Sequence, residues 1–346
     1  MGAAGRAIMH LMKLEEVAKR AKVSTATVSR VLNDIAGVRN ATRARVLRAA
    51  EELNYHPNLH ARTLAGGRSR TLGMIVSNME NPFFLDIFKA AEYDARIRGY
   101  DIILANTDYR PEILVNNIRL MIGRRVAGLA LVISEMDLSL TNELTGLNIP
   151  VVFYDVGEPR QNITNIAVNY AKGIERVVNY LHDMGHQRMA FVSHHPSLGP
   201  ISAREQAFRH KVETFFPKIK WSVSASTDTL DGGRQAAREI LAAGMQPTAI
   251  LCVNDFMALG VLHELREAGV RVPQDVSVTG FDNIKLAEIS YPALTTLHIP
   301  REKIGQLMAQ TLMAHEEFTT NTFVIEPEFV VRASAGPAPA QSSRAE

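Results

Sequence analysis

Residues 23 to 33 read VSTATVSRVLN. Thr25, Thr27 and Ser29 carry short hydroxyl side chains, and Arg30 adds a rigid fork of donors. Groups of this kind, held close to a partner, suit hydrogen bonding to phosphate oxygens and base edges. Hydroxyl and β-branched residues are mediocre helix formers, so their concentration here needs a reason other than helix stability. Short reach is such a reason, because long side chains would hold the backbone away from a groove. Lys13, Lys19, Lys22, Arg39, Arg43 and Arg45 lie nearby and supply the cations that a phosphate backbone requires.

These residues have to be positioned by small helices. Val23, Val28, Val31 and Leu32 repeat at helical spacing behind the hydroxyls, with Ser24 placed as N-cap. LEEVAKRA precedes them, with Leu14, Val17, Ala18 and Ala21 on one face. TRARVLRAAEEL follows, with Thr42 as its expected cap and Val46, Ala49, Ala50 and Leu53 turned inward. A helix, a short turn and a second helix have helix-turn-helix spacing. The charge agrees. Residues 1–70 hold 13 Lys or Arg against 5 Asp or Glu, whereas residues 71–346 hold 25 against 31, so a basic head precedes a mildly acidic body.

From Thr71 onward strands alternate with helices. TLGMIVSN, YDIILAN, VAGLALVIS, IPVVFYD, RMAFVSH, TAILCVND and VSVTGFD read as buried strands, separated by amphipathic segments such as PFFLDIFKAAEYDARIRG and GIERVVNYLHDMG. The pattern predicts an α/β body of two doubly wound parallel-sheet subdomains with a ligand crevice between them. After Arg332 the sequence ASAGPAPAQSSRAE is small and Pro-rich, and disorder is expected there, from 337 to 346 at least. The single Cys252 fits a reducing compartment, and no run is long enough to span a membrane, so a cytoplasmic protein is expected. His182 and His186 have the spacing of a zinc pair, but Gly185 ends a helix between them, and no metal or cofactor is expected. No nucleophile elbow or phosphate loop is present, so the chain does not read as an enzyme.

VAKRAKVSTATVSRVLN, followed by TRARVLRAAEELNYHPNLHARTLAGGRSRTLGMIV, resembles the lactose-repressor (LacI) type of bacterial transcription regulators. The resemblance continues through NPFF, RGYDIILANTD, RRVAGLAL, IPVVFYD, MGHQRMAFV, SARE, NDFMALG, GVRVPQDVSVTGFDN, PALTTLH and VVRAS, in order, over residues 13 to 336. It implies a helix-turn-helix head over 13–57, a hinge helix and linker over 58–70, and an effector-binding and dimerisation body over 71–336. Within the body it implies an N-subdomain of 71–161 with 297–324 and a C-subdomain of 162–296 with 325–336, similar to periplasmic binding proteins. Residues 1–11 have no family counterpart and are expected to be an arm outside the fold or an upstream start.

The resemblance also implies roles. Thr25, Ala26 and Arg30 would face base edges in the major groove, Arg30 either forking onto a guanine or touching a phosphate. Ser24, Thr27, Ser29 and Asn33 would bond phosphates. Asn58 would cap a hinge helix that places Ala61 in the minor groove and wedges Leu64 between central base pairs. Phe83, Phe84, Asp108, Ser134, Asp155, Arg204, Asn254 and Asp282 would face a small effector, with Asp255 a weaker candidate. An Arg among carboxylates suits a neutral polyol, so a sugar or sugar derivative is expected. Purine or nucleoside control is the alternative, because Phe83–Phe84, Ser134 and Arg204 also resemble a purine regulator's pocket. Control by a partner protein is a further rival, and a solute-binding protein is disfavoured. The expected partners are double-stranded operator DNA, read as a palindrome with half-sites about one helical turn apart, the effector, and a second copy of the chain. Repression is favoured over activation. No leucine heptad follows Arg332, so no tail-mediated tetramer is expected. Three departures stand out. Lys22 replaces a turn Gly and should be strained if its φ is positive. Asn169–Tyr170 replaces a common Asp–Asn pair. STDTLDGG (226–233) lacks the aromatic that often stacks on an effector.

Overall fold

The computed structural model describes residues 14–32, 35–55, 69–136, 144, 146, 149–155, 162–195, 199–314 and 322–340. Asn33, Asn58, Ala61, Leu64 and the expected hinge lie outside these residues, as does the amino-terminal arm. The chain divides into two compact units, residues 1–69 and 70–346.

The head contains α1 (Leu14–Ala21), α2 (Thr25–Leu32) and α3 (Asn40–Glu52). Val17, Ala18, Ala21, Val28, Val31, Val46, Ala49 and Ala50 are buried together, with Leu14, Val23, Leu32 and Leu53 packed on their rim. Arg20 of α1 pairs with Glu52 of α3 at 2.6 Å. The turn between α1 and α2 closes through the Val23 amide donating to Ala18 O at 3.0 Å. Lys22 in that turn has φ 52°, the left-handed conformation in which a side chain costs energy and glycine does not. One expectation is corrected: α3 begins at Asn40 with Arg39 as N-cap, two residues ahead of Thr42, and Arg39 makes no side-chain capping bond.

The body holds two parallel sheets. β1 (Thr71–Val76), β2 (Asp101–Asn106), β3 (Leu129–Val132), β4 (Val151–Tyr154), β5 (Ile163–Val168) and, late in the chain, β11 (Thr322–Ile325) form the first, in the order β11-β5-β4-β3-β1-β2. Helices α4 (Pro82–Ile97) and α5 (Pro111–Gly123) lie between its early strands. After α6 (Tyr170–Asp183), the second sheet is built from β6 (Arg188–His194), β7 (Lys220–Ser226), β8 (Ala249–Cys252) and β9 (Ser277–Thr279), in the order β7-β6-β8-β9. Helices α7 (Gly199–Phe215), α8 (Leu230–Ala242), α9 (Asp255–Glu267) and α10 (Lys285–Ile289) accompany it. The chain then crosses back: β10 (Thr296–His298) pairs antiparallel with β12 (Glu328–Val330), and α11 (Arg301–Met313) between them packs on α4. All neighbouring strands of the two larger sheets run parallel, which puts helices on their faces and buries the strands as continuous apolar runs.

The strand runs correct the expected subdomain boundaries. ITNIAV (163–168) pairs with β4 and so belongs to the first sheet; the boundary expected at 161 moves to about Asn169. The return to the second subdomain moves past Ile325, which pairs with Val168. β7, KWSVSAS, alternates polar and apolar residues because it is a half-exposed sheet edge, so it shows no continuous run. The tail is a larger correction, because residues 334–338 are anchored. Ser334 is fully buried. Its hydroxyl donates to Val278 O at 2.6 Å and accepts from the Thr295 amide at 2.8 Å. The Ala338 amide donates to Met184 O at 2.8 Å. Small residues here read as disorder, but they permit close backbone approach to β9 and to the end of α6. His186, one of the two spaced histidines, has both ring nitrogens engaged, with Thr248 Oγ1 at 3.0 Å and Gly336 O at 2.9 Å.

Candidate functional site

In the head, α2 starts where Ser24 caps it: the Thr27 amide donates to Ser24 Oγ at 3.2 Å, and the two hydroxyls lie 2.9 Å apart. Val28 and Val31 are buried, which fixes the rotation of the helix. Thr25, Ala26 and Arg30 are therefore exposed on the opposite side, with Thr27 and Ser29 half-buried at its margins. The outward face is short, polar and ends in one guanidinium.

In the body, the strand ends of the two sheets meet across a cleft lined by Asn81, Phe83, Phe84, Tyr109, Val132, Ile133, Ser134 and Tyr154 from the first subdomain. Pro200, Ile201, Arg204, Asp228, Asn254 and Asp282 line it from the second. The first wall is aromatic. Asn81 caps α4 by accepting the Phe83 amide at 3.1 Å, and Pro82 opens the helix with its φ preset. That start aims Phe83 and Phe84 at the cleft, edge to face with centroids 5.4 Å apart, and Tyr154 lies 5.6 Å from Phe83.

The second wall is polar. Arg204 is buried on α7, its guanidinium stacked 4.2 Å from the Phe281 ring and 4.8 Å from the Tyr170 ring, and it donates to Val253 O at 2.8 Å. Its Nη2 lies 3.8 Å from Asp282 Oδ1. Arg204 Nε and Asp282 Oδ1 are buried and have no hydrogen-bond partner among the described residues. Burial pushes the Asp282 carboxyl up to about 7 even though Arg204 and Arg301 pull it down.

Asp228 joins the walls. It accepts from Asn254 Nδ2 at 2.7 Å, from Asn78 Nδ2 at 3.3 Å and from the Tyr109 hydroxyl, and its own carbonyl accepts Asn78 Nδ2 at 2.8 Å. Burial first, and Asp228 second, hold the Tyr109 hydroxyl protonated by raising its pKa. Close packing of α8 on α9 brings Asp228 beside Asn254. A Cβ at Gly233 would sit 2.1 Å from Met257 O, and one at Gly260 would sit 2.0 Å from Leu230 O, so only glycine allows this approach. The space left between the walls is about 30 Å³. That is room for a water molecule and not for a sugar ring or a base, so an effector enters only as the walls part.

Phe83, Phe84, Ser134, Arg204, Asn254 and Asp282 all reach the cleft as expected from the sequence. Two candidates do not. Asp108 projects to solvent, paired with Arg110 at 3.2 Å and bonded to Asn106, and its neighbour Tyr109 takes the cleft position. Positive φ at both Asp108 and Tyr109 turns the loop so that the carboxylate swings out and the ring swings in. Asp155 is half-buried outside the lining, where its Oδ1 accepts the Val168 amide at 2.8 Å and ties β4 to the end of β5; burial raises its carboxyl to about 6. Asp255 is structural, accepting from Thr296 Oγ1 at 2.5 Å and from the Ile284 amide at 2.8 Å. Sequence reasoning missed Tyr109, Tyr154, Asp228 and the stacking ring Tyr170. Asp228 lies in the STDTLDGG segment, whose residue types mark only the absence of an aromatic. Glu135 was missed too: it is buried behind Ser134, accepting from Ser77 Oγ at 2.6 Å, from Thr107 Oγ1 and from the Ser134 amide at 3.0 Å.

A helix-turn-helix head with a short polar reading face, joined to a two-sheet body with a cleft between its strand ends, defines a DNA-binding transcription regulator built on a ligand-binding scaffold. Comparison with known proteins agrees. Residues 13–58 match the bacterial regulatory proteins of the lacI family, and residues 178–335 match the periplasmic binding protein-like domain. The chain is 35% identical over 329 residues to the HTH-type transcriptional repressor PurR of Vibrio vulnificus, covering 92% of this chain and 97% of that one. Among solved structures it is similar to the lac repressor dimer bound to operator and the anti-inducer ONPF. That likeness has a TM-score of 0.80 at 27% identity and covers 93% of this chain and 98% of that one. It is similar also to the CelR–cellobiose complex, with TM-score 0.67 and 29% identity over 93% and 99% of the two chains. The chain belongs to the lacI family of transcription regulators and is not an enzyme. No helix among the described residues is long and apolar enough to cross a membrane.

Proposed function

We propose that the protein is a dimeric repressor that binds a palindromic operator and is controlled by a small sugar or sugar derivative held in the cleft of the body. In this reading Thr25, Ala26 and Arg30 meet base edges, with Ser24, Thr27, Ser29 and Asn33 on phosphates. Asn58, Ala61 and Leu64 form the hinge contact in the minor groove. The effector reading is carried by the asymmetry of the cleft. Aromatic rings on one wall can cover the C–H face of a sugar, while Arg204, Asp282 and Asn254 on the other present donors and acceptors to hydroxyls. The second wall offers Pro200 and Ile201 in place of a further ring, so a ligand is stacked from one side. The similarity to a CelR–cellobiose complex and to a lac repressor dimer bound to operator and the anti-inducer ONPF supports a small-molecule ligand for this chain.

Because the walls already touch through Tyr109, Asn78 and Asp228, an effector shifts their separation only by binding one arrangement better than the other. Calorimetry of the full chain with pentoses, hexoses and disaccharides, paired with mobility shifts on a palindromic operator, tests the reading. A sugar that binds and changes operator affinity is expected, and silence across the panel defeats the sugar assignment. A purine base is the second reading, favoured by the paired rings of Phe83 and Phe84. Binding of a base in place of any sugar would establish it.

A further inference from the structure

The two subdomains of the body are tied together at opposite edges, by chain on one side and by side chains on the other. The chain passes between them near Asn169, near His298 and near Pro327. Those crossings lie beside β5 and β11 at one edge of the first sheet, and beside β9 at one edge of the second, where Thr279 bridges to Thr295. β2 with its neighbour β1 forms the far edge of the first sheet, and β7 the far edge of the second. Asn78 follows β1, Tyr109 follows β2 and Asp228 follows β7. A hinge motion about the crossings separates the walls most at that far edge, and there these three residues meet.

Each of them is positioned by its own wall. Asn78 Oδ1 accepts the Glu80 amide at 2.8 Å, which leaves Nδ2 to face Asp228. Positive φ at Asp108 and Tyr109 turns the tyrosine inward. Asp228 Oδ1 is held by Asn254 Nδ2 at 2.7 Å, and Asn254 is fixed in turn by capping α9 at the Met257 amide, 2.8 Å away. Across the gap Asp228 receives the Tyr109 hydroxyl, while Asn78 Nδ2 reaches its carbonyl at 2.8 Å and Oδ2 at 3.3 Å. The Tyr109 ring also rests 4.9 Å from that of His194 on β6. Groups set in place beforehand lose little freedom on joining, and hydrogen bonds to a buried carboxylate are strong ones.

We propose that Tyr109, Asn78 and Asp228 form a latch that holds the body closed and competes with the effector for the cleft. Tyr109 and Asp228 line the same space of about 30 Å³ that a ligand has to enlarge, so a sugar or a base enters only by breaking the latch. Apparent affinity is then the affinity of the open body scaled by the fraction that is open. A latch residue and a ligand contact differ in sign. Removing a latch group tightens ligand binding, and removing a contact weakens it. The inference holds for a sugar and for a purine alike.

The test is a distance measurement on the full chain. Glu112 and Asp231 are exposed at the starts of α5 and α8, which follow β2 and β7 on either side of the latch. Spin labels on Glu112→Cys and Asp231→Cys, in chain diluted with unlabelled copies, report wall separation by pulsed electron resonance. Cys252 is buried, so the two introduced thiols take the labels. With no sugar or base added, Tyr109→Phe should raise the share of long distances about tenfold, up to saturation, for the loss of one hydrogen bond to a charged group. Its ring can still pack on His194. Asn78→Ala should shift the distances in the same direction. Calorimetry with cellobiose, ribose and hypoxanthine supplies the sign: a ligand of the wild type should bind Tyr109→Phe more tightly. Distances unchanged in both variants overturn the latch. Weaker binding by Tyr109→Phe does so too, because the hydroxyl would then be a ligand contact. Silence of all three ligands counts against the effector readings alone, and the distances then decide the latch.

Discussion

The head and the body solve opposite problems with the same kinds of residue. Among the described residues every buried core residue of the head is Val or Ala, and the exposed candidates for recognition stand outside on one helix face. The body buries Phe153, Phe191, Phe208 and Phe281 and turns its functional side chains inward to a cleft. A small core can orient a helix that works by exposure, because the partner supplies the other half of every contact. An internal site has to satisfy its own charges before any ligand arrives, and that requires the larger scaffold. Electrostatic changes should therefore disturb stability in the body and recognition in the head.

The strongest way to break this contrast is to disturb the Arg204–Asp282 pair. Arg204→Met should lower body stability by about 3 kcal/mol, because it leaves a buried carboxylate without its cation. The double variant with Asp282→Asn should recover much of the loss, and urea unfolding of the three proteins measures both. Next in size is Arg30→Ala. It should leave unfolding of the head unchanged but cost about 1–3 kcal/mol of discrimination at one base position, read as affinity across an operator library. Uniform weakening, with the salt slope reduced by about 1, would make Arg30 a phosphate contact instead.

A titration sharpens the same point. Asp282 has a folded pKa of about 7 against an ordinary 3.8, so the native state holds the proton more tightly than the unfolded chain. Its contribution to stability is full below pH 4 or so and is lost as pH rises through about 7. Asp282→Asn should therefore gain on wild type over that interval, with the difference largest above pH 7. A difference independent of pH would show that the carboxyl does not titrate there. The smallest effect belongs to the head: Lys22→Gly should raise its stability by up to about 1 kcal/mol, measured as a shift of its thermal transition.

Much of this was legible in the chain itself. The head's periodicity placed all its buried positions, and the strain at Lys22 followed from a turn that favours glycine. Runs such as AILC and LALV marked strands because they are buried on both faces. ITNIAV and KWSVSAS escaped notice for opposite reasons: buried Thr164 and Asn165 interrupt the first, and edge exposure alternates the second. In the cleft, residues carried on helix starts and strand ends, such as Phe83 and Asn254, kept their expected places. Those on the loop with positive φ did not, since the backbone turn that exchanges Asp108 for Tyr109 leaves no trace in residue type. Asp228 was invisible as a site residue because its importance lies in partners 119 and 150 residues away.

The threading of the body bears on how the protein is made. The first sheet acquires its edge strand only at Thr322–Ile325, and the second subdomain takes in Ser334 and Ala338. Neither half is complete until almost the whole polypeptide has left the ribosome, whereas the three described helices of the head are in place by residue 52. Reading helix and regulatory cleft thus mature at different times during synthesis. A message truncated after the first 330 codons would still encode an intact head, attached to a body missing the segment that fastens β9.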